Sequence, residues 1–380
     1  MPSRRAITLA TWQDPANTAW SYRHLRELVP TARVRRGERP SPLADARSRF
    51  SWLVVERLLA DDRTDGLIVL HDGEVALEEY RRGMEPDDVH LLQSVSKSIT
   101  GTLAGVLAGR GALEPDEAVT SYVPELAGTS FDGASVRDLL DMRTGTRFDE
   151  NYDDPASDIR ASEAQFGWSP EPRPAPDALA FLAGLTNHRS HGGRFEYRSI
   201  LTDVLGLVIE RAAGMSFAET LGRELWAPMG AETDAYVAVD ADGFAVADGG
   251  ICVTLRDLAR FGRMVLDGGV VDGRPVVPAE WLADTLAGGG DSAEAFAQDE
   301  HSADLPGGHY RNQWWVPAGG QVLLAIGIHG QFLYVDRATR TVIALLSTWR
   351  TSLDPERRRI AIESFEATAR HLASARAERP

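Results

Sequence analysis

Ser94-Val95-Ser96-Lys97 sets a hydroxyl and an amine at a spacing suited to nucleophilic chemistry. On a helix, residues i and i+3 share a face, so Ser94 and Lys97 come within hydrogen-bond reach while Ser96 points elsewhere. A serine attacking a carbonyl must lose its proton, and a neutral lysine amine held beside it takes that proton. A helix N-terminus adds unpaired N–H groups that favour the anionic oxygen of a tetrahedral intermediate. Composition singles out the same place: of forty basic residues thirty-nine are Arg, and Lys97 is the one Lys. Guanidinium keeps its proton at any working pH, whereas a desolvated ammonium can give it up. The blander alternatives are that Ser94 is only a helix N-cap and Lys97 only a surviving surface lysine.

Two further constellations join this one. Tyr197-Arg198-Ser199 falls where a loop starts a helix, and a phenol there can share a proton with Lys97 and relay it to a leaving group; simple packing with a satisfied hydroxyl is the alternative. In Ala325-Ile326-Gly327-Ile328, followed by His329-Gly330-Gln331, glycine inside a strand permits close backbone approach, and a free N–H just beyond it can serve as a second oxyanion donor. His329 either reaches the cleft edge or has a structural role. Asp153, Asp154, Asp158 and Glu163 either attract an ammonium-bearing substrate or form a solvated acidic loop.

These residues need elements to hold them. Gly66 to His71 and Glu74 to Tyr80, joined by Asp72-Gly73, read as a hairpin. Ser94 to Gly109 reads as a closely packed central helix. The first sixty residues read as a helical and irregular wrapping arm. Between Ala134 and Leu225 strand signals nearly vanish, and helices are expected at Val136–Met142, Asp177–Leu185, Leu201–Ala212 and Phe217–Leu225. A helix ending near Leu266 follows. Strands are expected at Gln313–Trp315, Val322–Ile328, Phe332–Val335 and Thr341–Leu346, then a helix over Asp354–Ala375. The predicted class is α/β (α+β): an antiparallel sheet flanked by terminal helices, with an all-helical subdomain inserted. The expected parts are 1–110 and 246–380 for the α/β domain and 111–245 for the helical subdomain.

Composition narrows the function. Fifty-six acids against forty bases give a net charge of -16, which repels phosphate backbones and anionic lipid, so neither nucleic acid nor membrane is expected as a partner. The single Cys252 allows no intramolecular disulfide and no cysteine-built zinc site, and reads as a small buried hydrophobe. No G-x-S-x-G, H-E-x-x-H, Walker or C-x-x-C pattern occurs. After Arg4 and Arg5 the apolar stretch Ala6 to Ala10 is too short for a signal-peptide core, so a cytoplasmic location is expected.

In order and spacing, Ser94-x-x-Lys97, Tyr197-x-Ser199 and Ala325-Ile326-Gly327 resemble the S-x-x-K, Y-x-N/S and K-T-G motifs of the serine β-lactamase and penicillin-binding protein superfamily. Val136-Arg137-Asp138-Leu139-Leu140 and Asp257-Leu258-Ala259-Arg260-Phe261 look like its class C and esterase branch. Thr11-Trp12-Gln13, His90-Leu91-Leu92, Asp154-Pro155-Ala156-Ser157 and Gln313-Trp314-Trp315 look like its nylon-oligomer hydrolases. The resemblance implies a β-lactamase/transpeptidase-like fold, Ser94 as the acylated nucleophile, Lys97 and Tyr197 as the proton-handling pair, and the N–H groups of Ser94 and Ile328 as the oxyanion hole. Tyr152 matches a tyrosine that contacts the scissile amide in nylon-oligomer hydrolases, and with Asp248, His329 and Glu163 it completes the candidate substrate-binding set. Two departures stand out. Ala325 replaces the charged residue that binds a substrate carboxylate, and Ser199 replaces Asn, as in some esterases. The implied activity is serine hydrolysis of small linear amides or esters through an acyl-enzyme, with no metal or cofactor and with a homodimer possible. A carboxylesterase without useful amidase activity and a catalytically silent binding protein are the alternatives.

Overall fold

The computed structural model describes residues 7–45 and 55–377; Arg4 and Arg5 lie outside them. The strands are numbered in chain order: β1 Thr31–Val34, β2 Thr64–His71, β3 Glu74–Tyr80, β4 Val89–Leu91, β5 Ala235–Ala238, β6 Ile251–Thr254, β7 Val270–Val271, β8 Arg274–Pro275, β9 His309–Arg311, β10 Trp314–Val316, β11 Val322–Gly327, β12 Gln331–Asp336 and β13 Thr341–Ser347. Seven of them form one antiparallel sheet in the order β3-β2-β13-β12-β11-β10-β9.

The central strands β2 and β13 carry the unbroken apolar runs Leu67-Ile68-Val69-Leu70 and Val342-Ile343-Ala344-Leu345-Leu346, all buried. A run without polar alternation fits a strand covered on both faces. Helix Leu255–Leu266 packs on β2, β12 and β13, and the terminal helix Pro355–Ala377 also packs on β13. The latter sets Phe365 against the rings of Phe332 and Tyr334. The β2–β3 hairpin turns at Asp72 and Gly73, both left-handed (φ 51° and 81°), the conformation a two-residue turn needs to match strand twist.

The helix Val95–Gly109 runs through the middle of the molecule with Val95 to Leu107 all buried. Its small residues are what let it lie there: a Cβ on Gly105 would sit 2.5 Å from the Trp281 indole. Helix Ile200–Ala213, from the helical region, packs against it. The antiparallel sheet, the flanking terminal helix and the helical subdomain agree with the expected class.

Several elements differ from the sequence expectation. β1 is a strand inside the segment read as an irregular arm, and it pairs with β5, which no sequence pattern had marked; β6 and β4 complete a four-stranded sheet in the order β1-β5-β6-β4. Strands of three or four residues carry too few alternations to register as a period, and their pairing is entirely long-range. Gln313 is not a strand residue: Asn312 and Gln313 are both left-handed (φ 51° and 66°) and form the β9–β10 turn. Beyond Leu221, the helix at Phe217 passes into a π turn at Gly222–Trp226.

Candidate active site

β4 carries the chain toward Ser94 through a sharp turn. Gln93 is left-handed (φ 49°), which reverses the backbone at once into the helix, and its side chain donates to the Tyr22 hydroxyl at 2.9 Å. Leu91 N–H bonds Tyr22 O and Leu92 N–H bonds Ile251 O, fixing both sides of the bend. Ser94 stands at the N-cap position of the helix. One turn on, Lys97 Nζ donates to Ser94 Oγ at 2.9 Å. Ser96 points the other way, where its Oγ accepts from Ile251 N at 3.2 Å.

Lys97 is 1% exposed and also donates to Asp248 O at 3.1 Å, with the Asp248 carboxylate 3.6 Å away. Burial acts to lower its pKa, but the phenolate form of Tyr197 and the carboxylates of Asp248, Glu150 and Asp203 outweigh that and hold it above the usual lysine range. The direction runs against the neutral amine of the sequence expectation. Tyr197 faces the same pair. Lys97 Nζ lies 5.2 Å from the centroid of its ring, and Ser94 and Lys97 both act on the phenol. Burial, with the Glu150 carboxylate adding to it, outweighs the pull of Lys97 and Ser94 and holds the Tyr197 pKa above its ordinary value. The ring stacks on Trp315 at 5.3 Å.

These groups open into a cleft of about 600 Å³ lined by Ser94, Tyr152, Tyr197, Trp315, Ile326, Gly327 and Ile328, among others. Gly327 explains how β11 comes so close, since a Cβ there would sit 2.7 Å from Leu92 O. That approach brings Ile328 beside the Ser94 turn, and the two residues line both the main cleft and a narrow recess behind it. The recess is walled by Glu163, Asp203 and Asp248 together with Tyr152. Burial raises the Glu163 pKa, against the pull of Arg160, which donates to it at 2.7 Å. His329 is not brought to the cleft wall; it is buried, with Nδ1 2.8 Å from Trp349 O. Ala325 is buried in β11 and does not line the cleft. Cys252 is buried, and burial pushes its thiol up to about 12. Asp153 lies on the cleft rim. Asp158 instead caps its own loop, accepting from Asp149 N at 2.7 Å.

Two groups escaped the sequence reading. Glu150 accepts from Tyr152 Oη at 2.9 Å, from Ser199 N at 2.9 Å, and from the Ser199 hydroxyl. Asp203, on helix Ile200–Ala213, accepts from Asp248 N at 3.1 Å, and burial followed by the Asp248 charge raises its pKa well above the carboxylate range. Each is one acid among fifty-six. Only the fold shows which of them are desolvated around the one lysine.

The Beta-lactamase family model matches residues 54–366. The chain is 42% identical over 360 residues to the 6-aminohexanoate-dimer hydrolase of Paenarthrobacter ureafaciens, spanning 92% of this chain and 90% of that one. A solved Bacillus anthracis structure assigned to the same enzyme superposes with a TM-score of 0.87 at 25% identity, over 98% of this chain and 99% of the other. A family VIII carboxylesterase shares the fold, with a TM-score of 0.64 at 15% identity, covering 86% of this chain and 99% of that one. With a serine, a lysine and a tyrosine in mutual contact on this scaffold, the chain belongs to the Beta-lactamase family and is a serine hydrolase similar to 6-aminohexanoate-dimer hydrolase.

Proposed function

We propose that Ser94 is the nucleophile of an acyl-enzyme hydrolase of small linear amides, with the 6-aminohexanoate dimer named for the Paenarthrobacter relative as the first substrate to test. The observation that carries this is the 2.9 Å contact between Lys97 Nζ and Ser94 Oγ, with the Tyr197 ring 5.2 Å from the same Nζ. The proton acceptor is the Lys97–Tyr197 pair in the state that holds one proton fewer than ammonium plus phenol, with the phenolate of Tyr197 offset by the charge of Lys97 beside it. As Ser94 Oγ bonds to the carbonyl carbon, its proton passes to Tyr197, and the N–H groups of Ser94 and Ile328 meet the developing oxyanion. Tyr197 then gives that proton to the leaving nitrogen as the C–N bond breaks. Water adds to the acyl carbon in the second half, passing a proton to Tyr197 and from there to Ser94 Oγ as the acid departs. Tyr152 meets the leaving nitrogen, and the recess holding Glu163 and Asp248 suits an ammonium end.

A fluorophosphonate probe followed by peptide mass spectrometry tests the assignment. We expect one adduct, on Ser94, that is absent from Ser94→Ala; labelling that survives that substitution would remove Ser94 from the role. A second reading, ester hydrolysis without useful amide cleavage, is favoured by Ser199 standing where the β-lactamases have Asn. Wild-type rates on the linear dimer and on p-nitrophenyl acetate separate the two.

A further inference from the structure

The Tyr152 hydroxyl has a single hydrogen, and that hydrogen goes to Glu150 Oε1 at 2.9 Å. Glu150 cannot easily turn away from this task. Its other oxygen accepts from Ser199 N at 2.9 Å, and Oε1 also takes the Ser199 hydroxyl, at the start of helix Ile200–Ala213. Burial raises the Glu150 pKa above the ordinary carboxylate value, against Lys97, the bonds from Ser199 and Tyr152 and the unpaired N–H groups of the helix start, all of which favour its charge. The phenol oxygen of Tyr152 is thus left with lone pairs and no hydrogen toward the cleft that it lines with Ser94.

We propose that Glu150 is a positioning residue that makes this site prefer amides over esters, by taking the Tyr152 hydrogen so that Tyr152 Oη offers an acceptor to the N–H of the scissile amide. This rests on the reading that Tyr152 meets the leaving nitrogen. A secondary amide nitrogen turning tetrahedral carries one N–H and one lone pair. With the N–H held by Tyr152, the lone pair is the direction left free to receive the proton that Tyr197 delivers. An ester oxygen has no hydrogen to offer and gains nothing from an acceptor. Were the phenol free to rotate, it could donate to either substrate and would discriminate less between them. Glu150 also adds, after Tyr197 and Asp248, to the upward pull on the Lys97 pKa, but that contribution is common to both substrates.

The readout is therefore a ratio: kcat/KM on the 6-aminohexanoate linear dimer divided by kcat/KM on p-nitrophenyl acetate, for wild type, Tyr152→Phe, Glu150→Gln and the double variant. Glu150→Gln puts an amide NH₂ within reach of the phenol oxygen and reverses the polarity of the contact. We expect it to lower the ratio about tenfold, the worth of one ordinary hydrogen bond. Tyr152→Phe should lower it at least as far, and the double variant no further than Tyr152→Phe. An unchanged ratio in Glu150→Gln, or independent losses that multiply in the double variant, would overturn the proposal while leaving Tyr152 in place. An unchanged ratio in Tyr152→Phe would instead sink the reading of Tyr152, and this proposal with it. Should Glu150→Gln fold poorly, Glu150→Asp keeps the charge but withdraws it from the phenol by one methylene, and the ratio should fall in the same direction.

Discussion

At the scale of single residues, the candidate site turns on one lysine held between a hydroxyl, a phenol ring and a backbone carbonyl. Lys97→Arg keeps the charge, yet a planar guanidinium cannot reproduce contacts of 2.9 Å to Ser94 and 3.1 Å to Asp248 O in a space that leaves Lys97 1% exposed. We expect kcat to fall by roughly 10²–10⁴-fold, the usual worth of a positioned acid–base group, while thermal unfolding still shows a folded protein. Near-normal turnover would remove Lys97 from the mechanism. Ser96 is the contrast, two residues from the nucleophile but facing the opposite way. Ser96→Ala leaves the buried Ile251 N–H without its acceptor, so urea unfolding should report a loss of about 1–3 kcal/mol while kcat/KM stays near wild type. How legible all this was in the sequence follows from what each residue depends on. Ser94 and Lys97 were readable because an i, i+3 pair is fixed by helix geometry alone. Glu150 was not, because its meaning comes from Ser199, forty-nine positions away. The upward pull on Lys97 was hidden for the same reason: Tyr197 and the carboxylates that exert it are distant in the chain.

Elements determine whether these residues meet. β11 reaches the Ser94 turn only because position 327 lacks a side chain, and in Gly327→Ala the new methyl would press on Leu92 O and push the strand, with the Ile328 N–H, away from the site. The expected result is a stability loss of about 1–3 kcal/mol together with a tenfold to hundredfold fall in kcat, consistent with a weakened oxyanion donor. Loss of stability with unchanged kcat would show that Ile328 contributes nothing to the reaction. The loop that delivers Tyr197 is held differently, by charge. Partial burial tends to raise the Glu196 pKa, but the guanidinium groups of Arg198, Arg189 and Arg194 prevail and hold it down to about 2. A carboxyl depressed below its ordinary value of 4.5 in the folded state contributes stability above that pH and loses it as the pH falls toward 2. The stability gap between wild type and Glu196→Gln should accordingly be full at pH 7 and narrow steadily below about pH 4.5 in urea titrations. A gap that does not change with pH would assign Glu196 a packing role only. The long strands and helices were evident from their periodicity, whereas β1 and β5 were invisible because four residues of pattern cannot announce a partner two hundred positions away.

For the whole molecule, the cleft lies where the central sheet, the helical region and the loop after β13 converge, and its lining bears on which substrates it accepts. Ala325 is buried within its strand, so the point at which β-lactamases present a cation to a substrate carboxylate offers none here. Penicillins and cephalosporins should therefore be turned over far less efficiently than the best linear ester or amide, as ultraviolet assays at matched enzyme concentration would show. Comparable rates would mean that another group supplies the cation. The bend at Gln93 has a reach beyond the reaction itself. A side chain held at φ 49° costs the folded state roughly 1–3 kcal/mol that glycine or asparagine would largely avoid, and the hydrogen bond that the Gln93 side chain donates to the Tyr22 hydroxyl offsets only part of it. A library sorted only for survival at high temperature should accumulate Gln93→Gly or Gln93→Asn, and one that keeps glutamine there would show that the Tyr22 contact outweighs the strain.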